Sequence, residues 1–362
     1  MRIVVVGGTG NVGTAVLRRL AEARAAARAA GGAVATPSDD GRHDGSVEIV
    51  GVARRLPDVH AEPYGSAVWH AVDVGASDAV GQLTAIFTGA DAVIHLAWAL
   101  QPTHDIPAQY RTNVTGTANV LSAVARAGVP QVVVASSVGT YRGVDAAGKR
   151  TPVDESWPTD GIPTATYSIH KAANESAMDA FEADHPSVVV TRLRPGLIFQ
   201  RDAAAEIRGL FLGHLVPMSI VRWIRWLVLP LPYPFVFQAV HADDVADAYW
   251  RTVDQRAGGA FNIAASPVLN PPRLARAFGM LGAVRIPLQL LRGIVTLTWR
   301  LRLQPTDAGW IDIAAGVPIM RTDRARSVLG WEARHTSEDA LRALVAGFAD
   351  GAHVAASDPL RG

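Results

Sequence analysis

Short, unbroken apolar runs alternate with longer stretches of mixed polarity through the first two hundred residues. Met1 to Val6 is apolar and β-branched, which predicts a buried strand. Similar runs predict strands near 2–6, 47–53, 67–72, 91–95, 130–136 and 188–194. Between them, helical periodicity predicts helices near 12–30, 77–87, 107–127 and 167–184. This alternation predicts an α/β fold, a doubly wound parallel sheet, with a smaller mixed C-terminal lobe. Residues 1–195 and 237–263 form the sheet domain in this reading, and 196–236 with 264–350 form the lobe. Thr336-Ser337-Glu338-Asp339 has the form of a helix cap, opening a last helix near 338–349. The tail from 351 to 362 is expected to be disordered.

The first turn carries chemistry. Gly7-Gly8-Thr9-Gly10-Asn11-Val12-Gly13 follows the first strand directly and opens the first helix. Gly8, Gly10 and Gly13 satisfy G-x-G-x-x-G, and Gly7, Gly10 and Gly13 satisfy G-x-x-G-x-x-G. Either spacing gives a tight turn, close backbone approach to a pyrophosphate, and free N–H groups at Asn11, Val12 and Gly13. A P-loop is excluded, because Thr14 stands where Lys is required. Strand two ends in Arg54-Arg55 with no acid beside it. Arg54 favours a ribose 2′-phosphate, so NADP(H) is expected over NAD(H), which stays open. The competing account is two solvent-facing arginines in an Arg-rich chain.

Among 34 Lys plus Arg, Lys occurs only at 149 and 171. Lys171 closes Tyr167-Ser168-Ile169-His170-Lys171, and residues four apart share a helix face. An ammonium beside Tyr167 is expected to lower its pKa from ~10 and make it a general acid/base. His170 is read as lying on another face. A surface Tyr and a solvated Lys are the plain alternative.

Together, the glycine turn, Tyr167-x-x-x-Lys171 and Val132-Val133-Val134-Ala135-Ser136-Ser137 resemble the extended short-chain dehydrogenases/reductases, the NAD-dependent epimerase/dehydratase family. The resemblance spans roughly residues 1–265 and implies a Rossmann domain. It implies that Asp73 and Val74 contact adenine and that Leu96 and Ala97 run beside the cofactor. Pro195, in Arg194-Pro195-Gly196, falls where the family's backbone meets the nicotinamide. Ser137, Tyr167, Lys171 and Asn113 are implied as the catalytic set. Ser137 is preferred to Ser136 because Tyr141 follows it by four residues, matching the family's pattern. Trp98, Ser137 and Tyr141 are the expected substrate contacts.

Where the sequence departs from nucleotide-sugar relatives, it turns apolar. Gly196-Leu197-Ile198-Phe199 lacks their Asn and Gly-Pro, and the loop after strand four reads Ala97-Trp98-Ala99-Leu100. Oxidation or reduction of a carbonyl/hydroxyl on a mostly apolar small molecule is therefore expected. A nucleotide-sugar epimerase or dehydratase and a non-catalytic dinucleotide sensor are the alternatives. Net charge +1 argues against nucleic acid. Zero cysteines exclude disulfides and thiolate chemistry and suit a cytoplasmic enzyme. No metal ligation is expected from the scattered His residues. Residues 24–46 lengthen the link between the first helix and the second strand, and because Gly, Asp and small residues dominate the second half, a mobile surface loop is expected there. The apolar stretches 207–237 and 286–303 are read first as pocket lining, then as a homodimer face, then as a membrane-surface contact.

Overall fold

A computed structural model describes residues 1–31, 47–100, 103–211, 227–304, 306–354 and 356. Its centre is a seven-stranded, all-parallel sheet. The strands are β1 (Arg2–Val6), β2 (Glu48–Ala53), β3 (Val68–Ala71), β4 (Ala92–His95), β5 (Gln131–Ala135), β6 (Val189–Pro195) and β10 (Gly259–Ile263). Their order is β10-β6-β5-β4-β1-β2-β3, so the winding reverses between β1 and β4. Ligands bind at such a reversal, beyond the carboxyl ends of the strands.

The unbroken apolar runs are explained by cover on both faces. Ile3, Val5, Ile49, Ile94 and Val133 face a layer with α1 (Asn11–Gly31) and α7 (Ala242–Asp254). Val4, Val6, Val50, Val93 and Val132 face the other layer, with α2 (Ala79–Phe87), α4 (Gly116–Ala127) and α5 (Thr166–Asp184). Alternate side chains of one strand thus enter two dry cores, and polar positions would cost free energy on either side.

The helix expected over 107–127 is interrupted. It comprises α3 (Ile106–Tyr110), a π turn over Arg111–Thr115, and α4. The Asn113 carbonyl within the π turn accepts from Asn174 Nδ2 at 2.9 Å and from Thr117 Oγ1 at 2.8 Å. Helix α1 runs to Gly31, as the helix expected near 12–30 does, because the Ala- and Arg-rich start of the 24–46 link continues it; residues 32–46 lie outside the described residues. The chain beyond Gly351 is packed where described, since Val354 is buried against the core.

The lobe begins with β7 (Leu197–Phe199), which pairs in parallel with β9 (Ala239–His241), and α6 (Ala204–Phe211). A parallel pair joins β8 (Val228–Leu231) to β11 (Gly282–Arg285). Helices α8 (Pro271–Ala277), α9 (Leu288–Arg300), α10 (Gly309–Gly316), α11 (Asp323–Leu329) and α12 (Ser337–Asp350) follow, of which α11 packs Ala325 and Leu329 into the core of the central sheet. The expected cap is present: Thr336 and Asp339 exchange side-chain and backbone hydrogen bonds at the start of α12. Residues 212–226, the centre of the 207–237 stretch, lie outside the described residues.

Candidate active site

All seven strands run the same way, so the motifs that follow them gather along one edge of the sheet. Gly7 leaves β1, Arg54 leaves β2, Asp73 and Val74 lie just beyond β3, and Leu96 and Ala97 follow β4. Ser137 lies just after β5, and Pro195 ends β6. Gly7 has φ +87°, and a Cβ there would lie 2.5 Å from Ala97 N. A Cβ at Gly13 would strike Gly7 O and the Gly8 backbone, so the first turn of α1 sits directly on the loop. A Cβ at Gly10 would meet only Gly7 O, at 3.7 Å, which leaves its outer side open. That opening lies at the amino end of α1, where the first N–H groups have no intrahelical acceptor. The cradle therefore fits a dinucleotide pyrophosphate. Gln200, which no motif marked, donates to the Asn11 side chain and carbonyl and is held in turn by Arg18. Arg54 and Arg55 are exposed. Asp73 accepts from Gly75 N at 2.9 Å, and Val74 O accepts from Asn119.

The two adjacent serines have separate tasks. Ser136 donates to Glu175 Oε1 at 2.5 Å, inside a buried ion pair between Glu175 and Arg194. Ser137 hydrogen-bonds to the Tyr167 phenol and accepts from Gly139 N. This geometry brings Ser137 and Tyr167 together. The expected lowering of the Tyr167 pKa is not seen. Burial pushes the phenol up to about 12, against a downward pull from Ser137. The reason is where Lys171 points: its Nζ donates to Ala135 O at 2.7 Å and lies 3.5 Å from the centre of the Trp98 ring. Burial pulls Lys171 down to about 7, with Glu175 pulling it upward. Lys171 in turn adds to the burial that holds His95 neutral, down at about 3.

Asn113 spends both side-chain groups on Ala99, accepting from its N–H at 2.7 Å and donating to its carbonyl at 3.2 Å. It therefore positions the Trp98 loop beside Tyr167. Tyr141 is also placed differently. It is fully buried, its hydroxyl donating to Asn262 Oδ1 at 2.7 Å and accepting from Arg194 at 3.1 Å, so it is a core residue and not a substrate contact.

Tyr167 lines a narrow pocket with Trp98, Leu100, Ile106, His170 and Trp310. Trp98 stands edge-on to the phenol at 5.5 Å, and Trp310 tilts over it at 5.1 Å. His170 is not on another face: three residues after Tyr167, it shares the pocket side, and burial lowers its pKa. Asp307 and Trp310 come from the C-terminal lobe, more than a hundred residues after Tyr167, and no local pattern marked them. Asp307 accepts from Gly309 N at 2.8 Å, and burial raises its carboxyl pKa. Among the described residues, no Lys or Arg lines this pocket.

The sequence profile of the NAD dependent epimerase/dehydratase family matches residues 3–264, so the chain belongs to that family of short-chain dehydrogenase/reductase enzymes. The sterol-4-alpha-carboxylate 3-dehydrogenase (decarboxylating) of Candida albicans is 34% identical over 131 residues, 35% of this chain and 33% of that protein. An uncharacterized Mycobacterium tuberculosis protein is 39% identical over 90 residues, covering 25% of this chain and 9% of its own length. The chain thus matches a third or less of these relatives. Among solved structures, UDP-glucose 4-epimerase of Thermotoga maritima with UDP-glucose superposes with a TM-score of 0.66 at 18% identity, covering 97% of this chain and 99% of that one. The dTDP-glucose 4,6-dehydratase DesIV of Streptomyces venezuelae, with NAD bound, gives 0.66 at 18% identity and 97% cover of both chains. At these identities the likeness is one of fold.

Proposed function

We propose that this chain reduces a carbonyl on a mostly apolar small molecule, with Tyr167 as proton donor. The observation that carries this reading is the pocket around Tyr167, where the Trp98 and Trp310 rings, Leu100 and Ile106 stand among Thr103, Gln109, Thr166, His170 and Asp307, with no Lys or Arg among the described residues. A sugar diphosphate needs cationic partners for its phosphates, whereas the rings suit an apolar skeleton and the neutral polar groups suit a few hydroxyls or carbonyls on it. The partial match to a sterol dehydrogenase points the same way.

Gly7, Gly10, Gly13 and the first turn of α1 would hold the dinucleotide, with Asp73, Val74, Leu96, Ala97 and Pro195 along the same edge. Bound NAD(P)H supplies the hydride. Ser137 holds the substrate oxygen by a hydrogen bond, and Tyr167, hydrogen-bonded to Ser137, delivers the proton. Burial holds the phenol protonated at neutral pH, so Tyr167 is ready to give its proton to the substrate oxygen in reduction and recovers it in the reverse reaction. Lys171, buried beneath Trp98, is available to hydrogen-bond the cofactor side of the site. Ser137, Tyr167 and Lys171 in one cluster speak against a non-catalytic sensor.

The direct test is oxidation of NADH and NADPH by the purified protein against aldehydes, ketones and sterols, with UDP- and dTDP-sugars alongside. Turnover of apolar carbonyls, reduced about 10²–10⁴-fold by Tyr167→Phe, is expected. Turnover of the nucleotide sugars alone would overturn the substrate class. The choice of NADP(H) over NAD(H) rests on exposed Arg54. Arg54→Ala should weaken NADPH by about 1.5–3 kcal/mol in a fluorescence titration and leave NADH unchanged. Equal wild-type affinity for the two would assign Arg54 to the surface.

A further inference from the structure

Helix α9 is apolar on the side it turns to solvent as well as on the side it packs. Leu290, Ile294, Leu297 and Leu301, on the helix and the residue after it, are 54%, 51%, 59% and 60% exposed. At about 100° per residue they fall within an arc of ~60°, so they form one apolar stripe. The opposite side packs inward with half-buried Leu288, Leu291, Val295 and Trp299, together with Arg292, paired to Asp312 at 2.9 Å, and Thr296, which donates to Arg292 O. No residue of the helix is fully buried. Leu303 continues the exposed apolar surface beyond its end.

The segment of chain that carries the stripe has charge of one sign, with Asp312 entering from α10 to pair with Arg292 on the opposite side. Between Asp254 and Asp307 the chain has no acid, but it has Arg256, Arg273, Arg276, Arg285, Arg292, Arg300 and Arg302. This concentration sits in a protein whose net charge is only +1. Arg300 and Arg302 flank Leu301 and make no ion pair among the described residues. An apolar stripe with unpaired arginines beside it matches an anionic bilayer, where leucines enter the acyl boundary and guanidinium groups meet phosphates. A second copy of the chain would meet the same arginines with its own, which is unfavourable.

We propose that α9 docks this protein on an anionic phospholipid membrane surface as an in-plane amphipathic helix. It does not span the bilayer, since no helix among the described residues is long and apolar enough to cross. Trp299 of α9 stacks on His104 at 4.9 Å, and His104 neighbours Thr103 of the Tyr167 pocket. Trp299 lies on the face of α9 opposite the stripe, so the pocket packs behind the helix, away from the bilayer. Membrane docking itself does not depend on the proposed substrate class.

The test is co-sedimentation of the full chain with vesicles of phosphatidylcholine alone or with about one-third phosphatidylglycerol. Partition onto the anionic vesicles should be at least about tenfold stronger and should collapse in ~1 M salt. Ile294→Asp with Leu297→Asp should weaken it about tenfold or more, with an unchanged melting temperature. Arg300→Glu with Arg302→Glu reaches the same result by charge alone and serves if the first variant does not fold. No partition onto anionic vesicles would overturn the proposal. So would a wild-type dimer that becomes monomeric in the Asp variant, because a second copy would then cover the stripe.

Discussion

The chain keeps two lysines, in two regions, and their surroundings diverge from the same starting point. Lys149 lies on a turn beneath the lobe, buried, donating to Val236 O at 2.7 Å and to Ala314 O at 2.9 Å. Lys171 lies at the sheet edge, equally buried, with one carbonyl and the face of Trp98 as partners. Burial pulls both down to about 7. The rarity of Lys in this chain therefore marks positions that bury a compact ammonium able to shed its proton at modest cost. Arg, whose pKa stays above ~12, cannot do so. The marker alone does not distinguish catalysis from structure. What distinguishes the two is saturation: Lys149 ties two backbone segments together, while Lys171 retains donor capacity beside Tyr167.

Lys→Met at each position tests that contrast most strongly. Lys171→Met should lower turnover at least about 10²-fold while stability holds or rises slightly, because a half-satisfied buried ammonium is removed. Lys149→Met should do the reverse, costing about 1–3 kcal/mol in a denaturant melt by orphaning two carbonyls, with turnover and cofactor affinity unchanged. If the two variants lost activity and stability together, the division between the regions would fail.

A smaller effect reads both lysines in one titration. Each folded-state pKa lies below the unfolded value of ~10.4, so between about pH 7 and 10 the unfolded chain binds the extra protons. Stability should therefore rise with pH across that window, by up to about 1.4 kcal/mol per unit for each lysine. Above it, Tyr141 and Tyr167, pushed up to about 12 by burial, reverse the slope, since the unfolded chain then loses its phenol protons first. Either Met variant should remove about half of the rise between pH 7 and 10.

Much of the architecture was legible along the chain. The six strands expected near 2–6 through 188–194 are present; the centres of β1, β2, β4 and β5 are apolar because they are buried on both faces, whereas β3 is half-exposed beside β2 and β6 carries buried Thr191, Arg192 and Arg194. The glycine turn was legible for a similar reason: Gly7 must adopt φ +87° against Ala97, and no other residue does so without strain. The seventh strand, β10, was missed; Gly259–Ile263 is short, begins with glycine and pairs at the sheet edge with β6.

Local order thus specified the strands and helices, the dinucleotide turn and the sharing of one helix face by Tyr167 and Lys171, all of which depend on spacings within one strand, turn or helix, while Ser137 entered through the family resemblance. Tertiary structure decided what those residues meet. It turned Lys171 toward Trp98 instead of the phenol, sank Tyr141 into the core, and made Asn113 a clamp on Ala99. It also brought Asp307 and Trp310 across from the lobe to close the pocket, and left Leu290, Ile294 and Leu297 facing outward. Periodicity shows that a helix has an apolar face. Which way that face turns depends on what packs against it, and that is settled by contacts distant in the chain.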